Sequence, residues 1–198
     1  NTNENPYSPS PALQKAITDA VAKVAADLNR YPDRDATVLR TKLANYINEL
    51  SGTKFSADNV WAANGSNEII QSIFLAFAQG PVLGFTPSYS MHPLIAKVTG
   101  AQWIDGKRNA DFSLNTTDAI AEIQKNKPTL TFITTPNNPT GGAVTIAEIQ
   151  KLADACKSVG GLLVVDEAYA EFSQEKSAVT LIANNPHVIV IRTMSKAF

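Results

Sequence analysis

One cysteine (Cys156), two histidines and a near-cancelling charge, 17 Lys+Arg against 18 Asp+Glu, leave this 198-residue sequence poorly equipped for several common chemistries. A lone cysteine cannot close an internal disulfide, so a reducing compartment is the natural expectation. His92 and His187 have no metal-ligand spacing and no serine elbow beside them, which speaks against a zinc centre and a hydrolase triad; no metal is expected. A net charge of -1 supplies no broad attraction to nucleic acid or anionic membrane. No apolar run approaches the ~20 residues that cross a bilayer. The opening Asn1-Thr2-Asn3-Glu4 lacks the basic and apolar regions of a signal peptide, so the expected location is cytoplasmic.

What is present is the composition of a globular protein, 44% hydrophobic and 18% charged, with enough length for a sizeable core. Ser10-Pro11 reads as an N-cap and first helical residue, followed by Leu13, Ile17, Val21, Val24 and Leu28 at helical spacing. A second helix is expected over Thr37 to Leu50, with Gly52 placed to end it. Beyond Asn59 short apolar strands alternate with helices. Strands are expected at Val60 to Ala63, Val82 to Phe85, Gln102 to Ile104, Leu130 to Thr134, Leu162 to Val165 and Val188 to Ile191. Helices are expected at Ile69 to Phe77, at Tyr89 to Val98, around Ile120 and Ile123, and after the capping box Thr145 to Glu148. Strands that are apolar throughout are buried on both faces, so the pattern predicts an α/β protein with a mainly parallel sheet and helices on both faces. A boundary is expected near residue 30, dividing an N-terminal arm and helix (1–30) from an α/β body (31–198).

In such sheets ligands bind beyond the carboxyl ends of the strands, and that is where the polar residues gather. Lys196 follows the run Val188 to Ile191, and a lysine delivered by a buried strand is a candidate for Schiff-base chemistry. Asp166 ends Leu162-Leu163-Val164-Val165, where an unpaired charge is costly and a cationic partner is needed; a helix N-cap or a metal ligand is the plainer alternative. Tyr169 is positioned to share its cleft or simply to pack. Pro136-Asn137-Asn138-Pro139-Thr140-Gly141-Gly142 holds amide side chains on a rigid turn, and is equally readable as an ordinary βα loop. Gly65, Ser66 and Asn67 open a helix, a phosphate-binding geometry as well as a plain helix start. Tyr89 is either a plate for a planar ligand or a core aromatic. Together, a strand-end lysine, a carboxylate, phenol and amide donors, an aromatic plate and a phosphate cradle fit pyridoxal phosphate.

On the Asn-Pro-Thr-Gly, Asp-Glu-Ala-Tyr and Ser-Lys blocks the chain resembles the fold-type I aminotransferases, whose large domain is of this class. Asn3-Glu4-Asn5-Pro6-Tyr7, Arg30-Tyr31-Pro32-Asp33, Gly65-Ser66-Asn67-Glu68 and Tyr89-Ser90-Met91-His92-Pro93 look most like the histidinol-phosphate branch. The resemblance implies that Lys196 bonds the cofactor aldehyde and then shuttles a proton, and that Asp166 keeps the pyridine nitrogen protonated. It implies that Asn138 and Tyr169 bond the ring's phenolic oxygen, that Tyr89 stacks on the ring, and that Ser66, Asn67, Thr193 and Ser195 hold the phosphate. Tyr7, Tyr31 and Asn138 would meet substrate, with Tyr31 reaching the neighbouring subunit's cofactor phosphate in a homodimer. It further implies a longer protein, in which the rest of the large domain and most of the small one, to which the arm and first helix contribute, follow Phe198 together with the phosphate- and carboxylate-binding arginines.

The implied activity is transamination of histidinol phosphate with 2-oxoglutarate, giving imidazole acetol phosphate and glutamate. An aromatic aminotransferase shares every catalytic block and is the alternative. A pyridoxal-dependent decarboxylase or lyase, a cofactor-sensing regulatory domain and a purely structural α/β module are the remaining readings.

Overall fold

The computed structural model describes residues 3–198. Its centre is a sheet of β1 (Val82–Thr86), β2 (Trp103–Lys107), β3 (Leu130–Thr134), β4 (Leu162–Asp166) and β5 (Val188–Ile191), all parallel, in the order β2-β1-β3-β4-β5. The helices α1 (Pro11–Val24), α2 (Thr37–Ser51), α3 (Ser66–Phe77), α4 (Met91–Thr99), α5 (Thr116–Asn126) and α6 (Ile146–Ser158) precede or connect these strands.

The strands read as unbroken apolar runs because each supplies residues to two cores. Leu83, Phe85, Ile133, Leu163 and Val165 pack with Ile123 of α5 and Ile149 and Leu152 of α6. Their chain neighbours Val82, Phe132 and Val164 pack with Ile70 and Phe74 of α3 and Ile95 of α4. Successive strand side chains point to opposite faces, so continuous hydrophobicity follows from cover on both sides. Phe132 stacks on Phe74 at a centroid separation of 5.2 Å, and burial of each such ring is worth roughly 1.5–3 kcal/mol.

Local signals set the helix ends. Ser10 accepts from the Leu13 amide, and Thr145 and Glu148 form a reciprocal capping box at α6. Gly52 closes α2 at φ +66°, a conformation that costs glycine nothing.

Two expectations differ from the structure. Val60 to Ala63 forms no strand: Val60 ends a short 3-10 turn and the stretch runs on as irregular chain into α3. The stripe Leu13, Ile17, Val21, Val24 and Leu28 is half or more exposed, and α1 contains no buried residue. Its period is that of an amphipathic helix, but no apolar surface of the described residues covers it. No helix among the described residues is long and apolar enough to cross a membrane.

Candidate functional site

The register of the sheet brings the polar strand ends level with one another. Thr134 pairs with Asp166, and Asp166 pairs with Ile191, so the segments following β3, β4 and β5 leave the sheet side by side. With the segment after β1 they enclose a cavity of about 660 Å³. Of the residues singled out from the sequence, Ser66, Tyr89, Asn138, Asp166, Tyr169, Thr193 and Lys196 all line it.

Asp166 is 2% exposed, a position where an ionised carboxylate is tolerated only if its oxygens are satisfied. Oδ1 accepts from the Ala168 amide at 3.1 Å, and Oδ2 lies 3.0 Å from His92 Nε2. With Asp166 ionised, that contact requires the hydrogen on Nε2, so His92 is the donor. His92 is itself 2% exposed, wedged against Phe132 at 4.8 Å and edge-on to Tyr89 at 5.4 Å. The partner that Asp166 finds within this chain is a histidine 74 residues away in sequence. Nothing local in Met91-His92-Pro93 signals that pairing.

Tyr89 is held by its hydroxyl, which donates to Asn67 Oδ1 at 3.1 Å; burial raises its phenol above the ordinary value. Asn67 thus reaches the site through Tyr89. Tyr169 accepts from Asn3 Nδ2 at 3.0 Å and from Asn138 Nδ2 at 3.5 Å, so the amide and phenol expected to act together are neighbours. Asn137 is the buried member of the asparagine pair. It accepts from Ser88 Oγ at 2.7 Å and donates to the Pro87 carbonyl at 3.1 Å and to Thr140 Oγ1 at 2.8 Å, locking the loop after β3 to the loop after β1. The peptide bonds before Pro87, Pro136 and Pro139, all on these two loops, are cis.

At one end of the cavity α3 begins at Ser66, and the preceding N-cap residue, Gly65, adopts φ +80° and provides no side-chain cap. The first amides of α3 therefore lack a side-chain acceptor, at the positive end of the helix dipole. Thr193 Oγ1 and Ser195 Oγ are 2.9 Å apart, and Thr193 Oγ1 also accepts from the Ser195 amide at 3.3 Å. Gly65 and Ser195 line the neighbouring apolar groove, which shares Thr193 with the cavity. Tyr7 lies on an adjoining cavity that shares Tyr169 and Lys196. Tyr31 is fully exposed and lines none of these cavities.

Asn3, Ser88, Ser90, Thr134, Pro139 and Ala168 line the cavity without having been expected as site residues, and His92 reaches it through Asp166. Thr134 carries the signal that exposed Asp166, a polar residue closing an apolar run. No group of three or more potential metal ligands occurs among the described residues.

This donor set is chemically matched to pyridoxal phosphate. It has one amine, one buried carboxylate, a phenol with an amide beside it, an aromatic face, and uncapped amides next to paired hydroxyls.

The family model for aminotransferase class I and II matches residues 1–198. The chain belongs to this family. It is 53% identical over 203 residues to a histidinol-phosphate aminotransferase of Thermobifida fusca, covering all of this chain and 53% of the relative. The chain thus spans about half the length of the curated relatives it matches. Among solved structures, a putative histidinol-phosphate aminotransferase from Erwinia carotovora atroseptica superposes with a TM-score of 0.83 at 28% identity, covering 99% of this chain and 56% of the other. A PLP-bound C-S lyase from Staphylococcus hominis reaches a TM-score of 0.84 at 15% identity, over 100% of this chain and 52% of its own, and shares the fold alone.

Proposed function

We propose that the protein transaminates histidinol phosphate, passing its amino group to 2-oxoglutarate and yielding imidazole acetol phosphate and glutamate, with pyridoxal phosphate held in the cavity at the strand ends. The observation that carries this reading is the presence of Lys196, Asp166, Tyr169, Asn138, Tyr89 and Ser66 on the wall of one cavity. The identity to a histidinol-phosphate aminotransferase over the whole chain supports the choice of substrate. When bound, pyridoxal phosphate supplies an aldehyde that takes up the amino group and a ring that accepts electron density from the substrate α-carbon.

The chain's own residues supply the rest. Lys196 Nζ would hold the cofactor at its aldehyde and would serve as the base that carries the substrate α-proton. Asp166 offers a carboxylate to a protonated ring nitrogen, and His92 and the Ala168 amide keep that carboxylate oriented. The hydroxyl of Tyr169 and the amide of Asn138 donate to the ring oxygen, and Tyr89 covers a face of the ring. The amides of Ser66 and Asn67, with Thr193 and Ser195, hold the phosphate at the start of α3. Tyr7, on the adjoining cavity, and Asn138 meet the substrate. The exposed ring of Tyr31 reaches the cavity of a second copy in a homodimer, and the exposed stripe of α1 fits the reading in which the arm and first helix contribute to the small domain.

A lyase is the reading that the shared fold with the C-S lyase keeps in view. The test compares products: full-length protein loaded with pyridoxal phosphate is given histidinol phosphate, phenylalanine or cysteine-type thioethers, each with 2-oxoglutarate. Glutamate formed fastest from histidinol phosphate supports the proposal. Faster turnover of phenylalanine indicates the aromatic aminotransferase, and thiol release without glutamate indicates a lyase.

A further inference from the structure

The roles proposed above leave one buried group of charges unused. Arg192 follows β5 directly, and its side chain is 16% exposed. Nη1 lies 3.5 Å from Glu167 Oε2, and Nη2 donates to Glu171 Oε1. Tyr46 of α2 donates to the same Glu171 oxygen at 3.3 Å. Glu167 is 2% exposed, and its two oxygens also accept from Ser177 Oγ and the Ala178 amide, both at 2.6 Å.

The cluster is expensive. Burial pushes the Glu167 carboxyl above its ordinary value despite the hydrogen bonds and the nearby guanidinium. Arg192 Nε and Glu171 Oε2 are buried without a hydrogen-bond partner. A buried ionic group is often no more stabilising than apolar side chains of the same volume, so stability alone does not account for it. Its placement does. Glu167 is the residue after Asp166, and Glu171 lies two residues past Tyr169, whereas Arg192 is four residues before Lys196. From Arg192 to Phe198 the chain is in neither helix nor strand, so no regular backbone ladder fixes where Lys196 sits.

We infer that Arg192 is a positioning residue: by bridging Glu167 and Glu171 it ties the segment that delivers Lys196 to the segment that delivers Asp166 and Tyr169, and so sets the amine against the carboxylate. The Glu167 amide, donating to the Ile191 carbonyl at 2.9 Å, makes the backbone half of the same tie. A planar guanidinium spans two carboxylates with a fixed fork, whereas an ammonium is a point charge, so lysine is a poor substitute. The inference rests on the pyridoxal-phosphate reading of the cavity.

The test separates amine placement from pocket integrity in the full-length protein freed of cofactor. Two probes are used. Pyridoxal 5'-phosphate bonds Lys196 Nζ through its aldehyde carbon with loss of water, read as a new absorbance band. Pyridoxine 5'-phosphate has the same ring and phosphate but an alcohol in place of the aldehyde, so it reports the pocket alone. Arg192→Gln is expected to slow covalent capture about tenfold or more, since small misplacements of a reacting group carry penalties of that order, with affinity for pyridoxine phosphate kept within twofold. Arg192→Lys should fall between Arg192→Gln and the native protein. Glu171→Gln removes one arm of the bridge at constant shape and gives the same split if Arg192→Gln does not fold. Equal losses with both probes, or no loss with either, overturn the inference. If the native protein itself forms no band, the cofactor reading fails and the inference fails with it; a native band with unchanged variants sinks the inference alone.

Discussion

His92 Nε2 lies 3.0 Å from Asp166 Oδ2, and both side chains are almost wholly removed from water. The strand end that presents a carboxylate to the cavity is thus satisfied from behind by a helix on the other side of β3. His92→Phe keeps the ring packing against Phe132 but deletes the donor, leaving a buried carboxylate oxygen without its partner. A loss of roughly 2 kcal/mol is expected in chemical unfolding, with part recovered in His92→Gln, which restores an N–H. A His92→Phe protein as stable as the native one would contradict the pairing.

Gly161 immediately precedes β4, and a Cβ there would stand 2.3 Å from the Pro128 carbonyl oxygen, a backbone atom that cannot rotate away. Gly161→Ala should cost about 1–3 kcal/mol or more through forced separation of β3 and β4. At Gly142 the nearest atom to an added Cβ is Thr140 Oγ1 at 4.0 Å, so Gly142→Ala should stay within about 0.5 kcal/mol of the native protein. Melting temperatures of the pair decide it; equal shifts would mean that the strand approach is looser than described.

Burial in α6 pushes the Cys156 thiol from 9.0 up to about 11. The neutral thiol is the form the fold favours, so its contribution is fully present below the unfolded value near 9 and is lost as pH rises toward 11. The difference corresponds to roughly 3 kcal/mol. Native protein should therefore resist thiol reagents at pH 8 and lose stability between pH 9 and 11, a decline that Cys156→Ala should lessen. Rapid labelling of Cys156 at pH 8 without unfolding would refute this.

What the sequence made legible was local. The apolar run Leu162 to Val165 closed by Asp166, the Ser10-Pro11 start and the Thr145–Glu148 box each carry their signal within a few residues, and each forms as expected. Val60 to Ala63 resembles a strand in composition, but strands are made by partners, and no neighbouring strand pairs with it. The α1 stripe was legible as a pattern, while its covering surface was not, because periodicity states that a face is apolar and not what meets it.

The site divides the same way. Lys196, Asp166 and Tyr169 were legible because polar residues at the ends of buried strands must face the same edge of a parallel sheet. His92, Asn137 and Ser88 were not, since each acquires its role from partners 46 to 74 residues away. Asn137 and Asn138 are adjacent in sequence, yet one locks two loops together and the other faces the cavity beside Tyr169. Tyr31 stays fully exposed.

In the proposed function a single amine, Lys196 Nζ, bonds the cofactor in the cavity it shares with Asp166. Borohydride reduction of full-length protein loaded with pyridoxal phosphate, followed by peptide mass mapping, reads it directly. The predicted result is a pyridoxyl-phosphate adduct on the peptide bearing Lys196 and none in Lys196→Ala. An adduct of equal yield on another lysine, or none on the native protein, would contradict it.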